Sequence, residues 1–198
     1  MVLASEMPAH CLMIGEVGSS KTLFLQELSR LPSSRYVLGS SLSRAGLYEL
    51  MFVERPKYLL VDEIDKVTDY SNVSALLSLM ETGILAEVKY NKRRQGQFNC
   101  WVMAGCNNED RIPPEILSRF GAFRLRFGVY TPEEFIEVVT KVLVMRERTD
   151  IELAKYIASV TLRRLNSRDV RVARSIARTA HTKQAVDDTV ALLEKQGR

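Results

Sequence analysis

The sequence predicts an α/β protein: a mainly parallel sheet covered by helices over residues 1–130, then a small all-helical domain over residues 131–198. Three observations carry this. Short apolar runs alternate with helix-periodic segments through the first part of the chain, the pattern that builds strand–helix–strand units. Two of those runs, Cys11–Ile14 and Tyr58–Val61, lead into loops rich in phosphate- and metal-binding residue types. Beyond Tyr130 only helical patterns remain.

In order, Ala9–Ile14, Tyr36–Leu38, Tyr58–Val61, Cys100–Gly105 and Ala122–Phe127 read as strands. Between them Leu23–Leu31, Arg44–Glu54, Val73–Glu81 and Pro114–Phe120 read as helices. Leu85–Tyr90 and Gln97–Val102 both alternate apolar and polar, and Asn91–Gly96 between them has turn chemistry, so residues 85–102 read as a β-hairpin. Thr131-Pro132-Glu133-Glu134 is a helix start: a capping hydroxyl, proline in the first turn and acidic residues against the helix dipole. Glu133–Met145, Ile151–Leu165, Asp169–His181 and Lys183–Lys195 complete the helical domain.

The 198 residues are 46% hydrophobic, enough for a sizeable core, and no apolar run is long enough to span a membrane. The N-terminus lacks the basic start and long apolar stretch of a secretory signal. Cys11, Cys100 and Cys106 have no paired spacing, and His10 and His181 stand alone, so neither a disulfide framework nor a zinc site is indicated. A reducing, cytoplasmic setting is expected. The net charge of +4 permits a polyanionic partner without requiring one.

Two loops carry the chemistry. Gly15-Glu16-Val17-Gly18-Ser19-Ser20-Lys21-Thr22 joins a strand to a helix. Small residues there let successive N–H groups curl round a phosphate, and the helix N-terminus adds its positive dipole. Lys21 is expected to reach the β- and γ-phosphates of ATP, and the Thr22 hydroxyl to ligate Mg2+. Ser20 stands where the usual motif has glycine, and its Cβ resists unusual backbone angles. A plain turn with a chance Lys-Thr is the alternative. In the second loop, Asp62-Glu63-Ile64-Asp65 follows a wholly apolar strand, at the edge where parallel sheets bind ligands. Asp62 suits the Mg2+ shell, and Glu63 suits a base that orients and deprotonates water. The two loops together point to a P-loop nucleoside-triphosphatase fold with a three-layer αβα core.

On these motifs the chain resembles the AAA+ ATPases, core plus lid. Nearest are the minichromosome-maintenance (MCM) helicases, whose phosphate loops also carry a small residue before the lysine, then RuvB-type and MoxR-type proteins. Gly39–Leu47, Asp62–Lys66, Ala75–Leu85 and Ile116–Phe120 carry the likeness, and Phe120-Gly121 with Tyr130–Phe135 leans towards RuvB. The resemblance implies that Asn107, after strand Val102–Cys106, senses the γ-phosphate, with Asn108 competing for the role. It implies that Arg119 is an arginine finger acting on a neighbouring subunit. It implies that Arg171, or else Arg168, contacts phosphate from the lid, while Arg174 and Arg178 on the same helix face are expected to be merely solvated. Only Met1–Pro8 precede the first strand, so the adenine pocket is expected to be incomplete or borrowed. No MCM-type insert fits between Leu47 and Lys57, and no winged-helix domain is expected after the lid.

The resemblance further implies a ring homo-oligomer, with a hexamer the expected form, acting on DNA as a helicase or translocase. The hairpin is expected to present Lys92, Arg93 and Arg94 at its tip, with Lys89 assisting, to grip successive phosphates. A MoxR-like protein remodeller and a nucleotide-dependent scaffold with weak hydrolysis are the alternatives.

Overall fold

The computed structural model describes residues 2–89 and 92–196, with the backbone alone at residues 4, 89, 92 and 196. It divides into two compact units. The first runs to Phe127 and leaves out Val17–Ser19; the second groups Val17–Ser19 with the helices that follow Gly128.

Five strands form the sheet of the first unit, in the order β2 (Ser34–Leu38), β3 (Tyr58–Asp62), β6 (Trp101–Cys106), β1 (Cys11–Gly15), β7 (Arg124–Phe127). Every pairing in it is parallel. The central strands are apolar throughout because both faces are covered. Alternate residues go to opposite sides: Leu12, Ile14, Leu59, Val61, Val102 and Ala104 join one cluster, and Cys11, Met13, Tyr58, Leu60, Trp101 and Met103 the other. On the first side pack α2 (Arg44–Val53), α3 (Tyr70–Glu81) and α4 (Pro114–Phe120), through Leu47, Met51, Leu76, Leu79, Ile116 and Phe120. On the second side Leu25 of α1 (Lys21–Leu28) is fully buried, which completes three layers.

The hairpin forms, but its register differs from the sequence expectation. β4 (Ile84–Lys89) pairs antiparallel with β5 (Lys92–Gln97). Lys92, Arg93 and Arg94 therefore lie within a strand rather than at the tip, and from Trp101 the chain has already joined the main sheet. Residues 90 and 91 lie outside the described residues. Gly96 explains the misreading. A Cβ there would stand 2.9 Å from the Phe98 ring and 3.1 Å from the Phe52 ring, so its glycine makes room for aromatic side chains instead of turning the chain.

The second unit is helical: α5 (Pro132–Glu147), α6 (Ile151–Arg163), α7 (Val170–Thr179) and α8 (Lys183–Gln196). Thr131 and Glu134 form a reciprocal capping box at α5, and Asp150 and Asp169 cap α6 and α7. Phe135, Val139, Leu143, Ile157, Ala173 and Ile176 are buried. Arg174 and Arg178 are not merely solvated: both bond the Glu147 carboxylate, at 2.6 and 2.9 Å. With Arg178 the larger influence, this pair holds the Glu147 carboxyl below its usual range. The partner is 27 residues or more away in sequence, so helix periodicity on α7 could not show it.

His10 links the base of the sheet to α3. Its Nδ1 accepts from the Val102 N–H at 3.0 Å and its Nε2 faces the Met80 carbonyl at 2.8 Å, which fixes the neutral tautomer with hydrogen on Nε2. Burial lowers its pKa. Folding therefore disfavours the imidazolium, and the unfolded chain takes up the proton first. Stability from this residue is complete above the unfolded-state pKa of about 6.5 and declines as pH falls below it. Urea denaturation at stepped pH values between neutral and mildly acidic checks this: the native chain loses stability across that window, and His10→Asn loses less.

Candidate functional site

Parallel pairing brings the C-terminal ends of β1, β3 and β6 to one edge of the sheet. Ile14 pairs with Cys106, and Val61 with Ala104. The phosphate-type loop, the Asp62-Glu63 pair and Asn107 all leave the sheet at that edge.

In the first loop Lys21 is buried, and its Nζ donates to the carbonyls of Gly15 at 2.6 Å and Glu16 at 2.8 Å. Gly18 has φ 89°, a conformation suited to glycine. Ser20, the N-cap of α1, takes φ 65° and ψ 14°, the left-handed region that its Cβ was expected to resist. That conformation costs a residue with a Cβ roughly 1–2 kcal/mol. The Ser20 hydroxyl is buried and makes no hydrogen bond among the described residues. Ser19 is buried, while Thr22, the second residue of α1, is exposed.

Asp62 closes β3 and is 5% exposed. Its Oδ2 accepts from the Tyr36 hydroxyl at 2.7 Å, and its Oδ1 from the Glu63 N–H at 3.0 Å. It makes no ion pair among the described residues. Tyr36 comes from β2, two residues out of direct register with Asp62, so its side chain leans along the sheet to reach it. Burial, then the bond to Asp62, pushes the Tyr36 hydroxyl pKa well up, so it remains a donor. Across β6, a Cβ on Gly105 would lie 3.1 Å from Asp62 Oδ1. Tyr36 carries no motif signal, because its partner is 26 residues away.

Glu63 also adopts a left-handed conformation, φ 55° and ψ 46°. Its Oε2 pairs with Lys66 Nζ at 2.8 Å across one turn. The Glu63 carbonyl lies 2.2 Å from where a Gly39 Cβ would stand, which is why the segment after β2 begins with glycine. Asp65 is buried, with Oδ1 unpaired among the described residues.

Asn107 and Asn108 are told apart by their contacts. Both are exposed, but Asn108 Oδ1 caps the turn after β6 by accepting from the Asp110 N–H at 2.9 Å, while the Asn107 side chain makes no hydrogen bond among the described residues. Arg119, near the end of α4, bonds Glu81 Oε2 at 2.8 Å, and its Nε is buried without a hydrogen-bond partner among the described residues. In the helical unit Arg171 is bound to its own cap residue Asp169, with Nη2 to Oδ2 at 2.8 Å, and Arg168 Nη1 donates to the Tyr130 carbonyl at 2.7 Å.

Arg93 and Arg94 of β5 lie on opposite faces of the hairpin. Arg94 points inward, bonding the buried Glu87 at 2.8 Å and Glu49 of α2 at 3.0 Å, with its guanidinium 4.5 Å over the Phe52 ring. Arg93 is exposed, paired across the hairpin with the exposed Val88. The side chains of Lys89 and Lys92 lie outside the described residues.

The residues at the sheet edge fit a phosphate and Mg2+. The buried Lys21 ammonium opens α1, and the buried Asp62 carboxylate, in no ion pair among the described residues, stands at the next strand end but one. Hydroxyl and carboxylate oxygens are the hard donors that Mg2+ takes.

The tight approach of Gly39 to Glu63 gives a stability test. Gly39→Ala overpacks that contact and costs about 1–3 kcal/mol, read by urea denaturation.

No protein-family model and no curated protein matches the sequence. Solved structures do. The chain is similar to the Thermotoga maritima RuvB Holliday junction branch migration motor, at 18% identity and a TM-score of 0.65, over 93% of this chain and 62% of that one. A point mutant of the same RuvB matches at 18% identity and a TM-score of 0.67, over the same shares of the two chains. The chain thus spans less than two thirds of the length of the structures it matches. At this identity the likeness shows the fold alone: an α/β P-loop core followed by a helical domain.

Proposed function

We propose that this chain binds and hydrolyses ATP as an AAA+ motor in the cytoplasm, assembled as a ring, hexameric by the family pattern, and acting on DNA. The observation that carries the reading is the placement of buried Lys21 and buried Asp62 at the same sheet edge, with Asp62 in no ion pair among the described residues. Gly15–Thr22 would cradle the phosphates through their N–H groups, with Lys21 turning its ammonium from the Gly15 and Glu16 carbonyls to the phosphates. Thr22 and Asp62 would hold Mg2+, which supplies charge neutralisation and orientation of the phosphate oxygens. Glu63 would take a proton from the attacking water once its carboxylate leaves Lys66. Asn107 would orient that water. Arg119, held by Glu81 within its own chain, would serve a neighbouring subunit's nucleotide. Arg171 would contact phosphate from the helical domain.

For DNA, Arg93 is the cation favoured among the described side chains, since Arg94 is committed to Glu87 and Glu49, and Lys89 and Lys92 are proposed beside it. The RuvB likeness supports DNA over other substrates. A second reading, remodelling of a protein partner, is favoured by the exposed Val88 and Ile84 on the same hairpin face as Arg93.

One set of variants tests both levels. Glu63→Gln keeps ATP binding and loses roughly 10²–10⁴-fold in turnover, and Lys21→Ala also weakens binding. Native turnover from Glu63→Gln removes the catalytic assignment. Arg93→Glu leaves basal hydrolysis in place, weakens DNA binding at low salt and flattens its salt dependence. Unchanged DNA affinity and salt slope in that variant favour the protein-remodelling reading.

A further inference from the structure

We infer that Tyr36 is a positioning residue for the metal-binding carboxylate, setting the affinity of the site for Mg2+ from the neighbouring strand. The inference rests on the proposed role of Asp62 and extends it to a residue outside the motifs.

A carboxylate at the end of a strand can rotate about its Cβ–Cγ bond, and a metal site needs that rotation stopped. Three contacts stop it here. The Tyr36 O–H donates to Oδ2 at 2.7 Å, the Glu63 N–H donates to Oδ1 at 3.0 Å, and Gly105 leaves only enough room for Oδ1 beside it. The Glu63 donor belongs to the turn itself and would survive most sequence changes. The Tyr36 donor depends on one side chain, and among the described residues it is the only side chain that bonds Asp62.

The contact is built by the fold. Leu38 is the β2 residue directly opposite Asp62, and Tyr36 is two positions before it, on the same face of the sheet. A short side chain at that position could not span the diagonal; a tyrosine does, with its ring against the Cys11, Met13 and Leu60 cluster and its hydroxyl at the polar rim. Removing the hydroxyl leaves Oδ2 buried without its donor, free to turn and poorly solvated. Outer partners that orient a metal ligand in this way typically contribute 10–100-fold to metal affinity.

The test measures binding without turnover. The native chain, Tyr36→Phe and Tyr36→Leu are titrated with MgCl2 in the presence of a fluorescent, non-hydrolysable ATP analogue, and each is also melted without nucleotide. The expected result is a rise of about 10–100-fold in the Mg2+ midpoint of nucleotide binding for both variants. In an Asp62→Asn background, adding Tyr36→Phe moves the midpoint no further. A hydroxyl with a merely structural role lowers the melting temperature and leaves the midpoint in place, and that outcome overturns the inference. Failure of the native chain to bind the analogue in a Mg2+-dependent way overturns instead the proposed function beneath it.

Discussion

The parallel alignment of β3, β6 and β1 is the constraint on which the rest depends. Parallel strands end together, so one sheet edge receives every loop that leaves a strand C-terminus. Because the three strands are buried on both faces, their positions are held by packing rather than by the loops themselves. Lys21, Asp62 and Asn107 are thus brought to one edge by apolar residues such as Leu12, Leu59 and Val102, all fully buried. An antiparallel neighbour would send one of these loops to the opposite edge.

At that edge the flanking strands supply the fit. β2 contributes Tyr36 to Asp62 and, just past its end, Gly39 to the Glu63 carbonyl, while β6 contributes Gly105 beside Asp62. Ser20 and Glu63 both take left-handed conformations there without being glycine. Residues held in such sparsely populated regions persist where the surroundings over-determine them, and functional sites are where they concentrate. The ion pair of Glu63 with Lys66 adds a second constraint on that side chain.

What the sequence made legible follows from range. Apolar runs, the Thr131 cap and the two loops act within a few residues of one another, so the sheet, the helical domain and the positions of Lys21, Asp62 and Glu63 could be read directly. The hairpin register could not, since β5 (Lys-Arg-Arg-Gln-Gly-Gln) has no apolar alternation and Gly96 imitates a turn while serving Phe52 and Phe98. Arg94 looked like its neighbour Arg93 until Glu87, seven residues back, and Glu49, 45 residues back, were placed beside it. Tyr36 with Asp62, and Glu147 with Arg174 and Arg178, are equally invisible to local pattern. Long-range pairs decide which of several similar side chains is committed to the structure and which is left for a partner.

The central claim is that the sheet edge at β1, β3 and β6 binds nucleotide phosphate. Backbone amide hydrogen exchange with and without a non-hydrolysable ATP analogue and Mg2+ tests it most directly, since it reads each loop separately. The account predicts added protection over residues 15–22, with smaller gains at residues 62–65 and 105–107. Binding that leaves residues 15–22 unprotected, or protection confined to other segments, would contradict it.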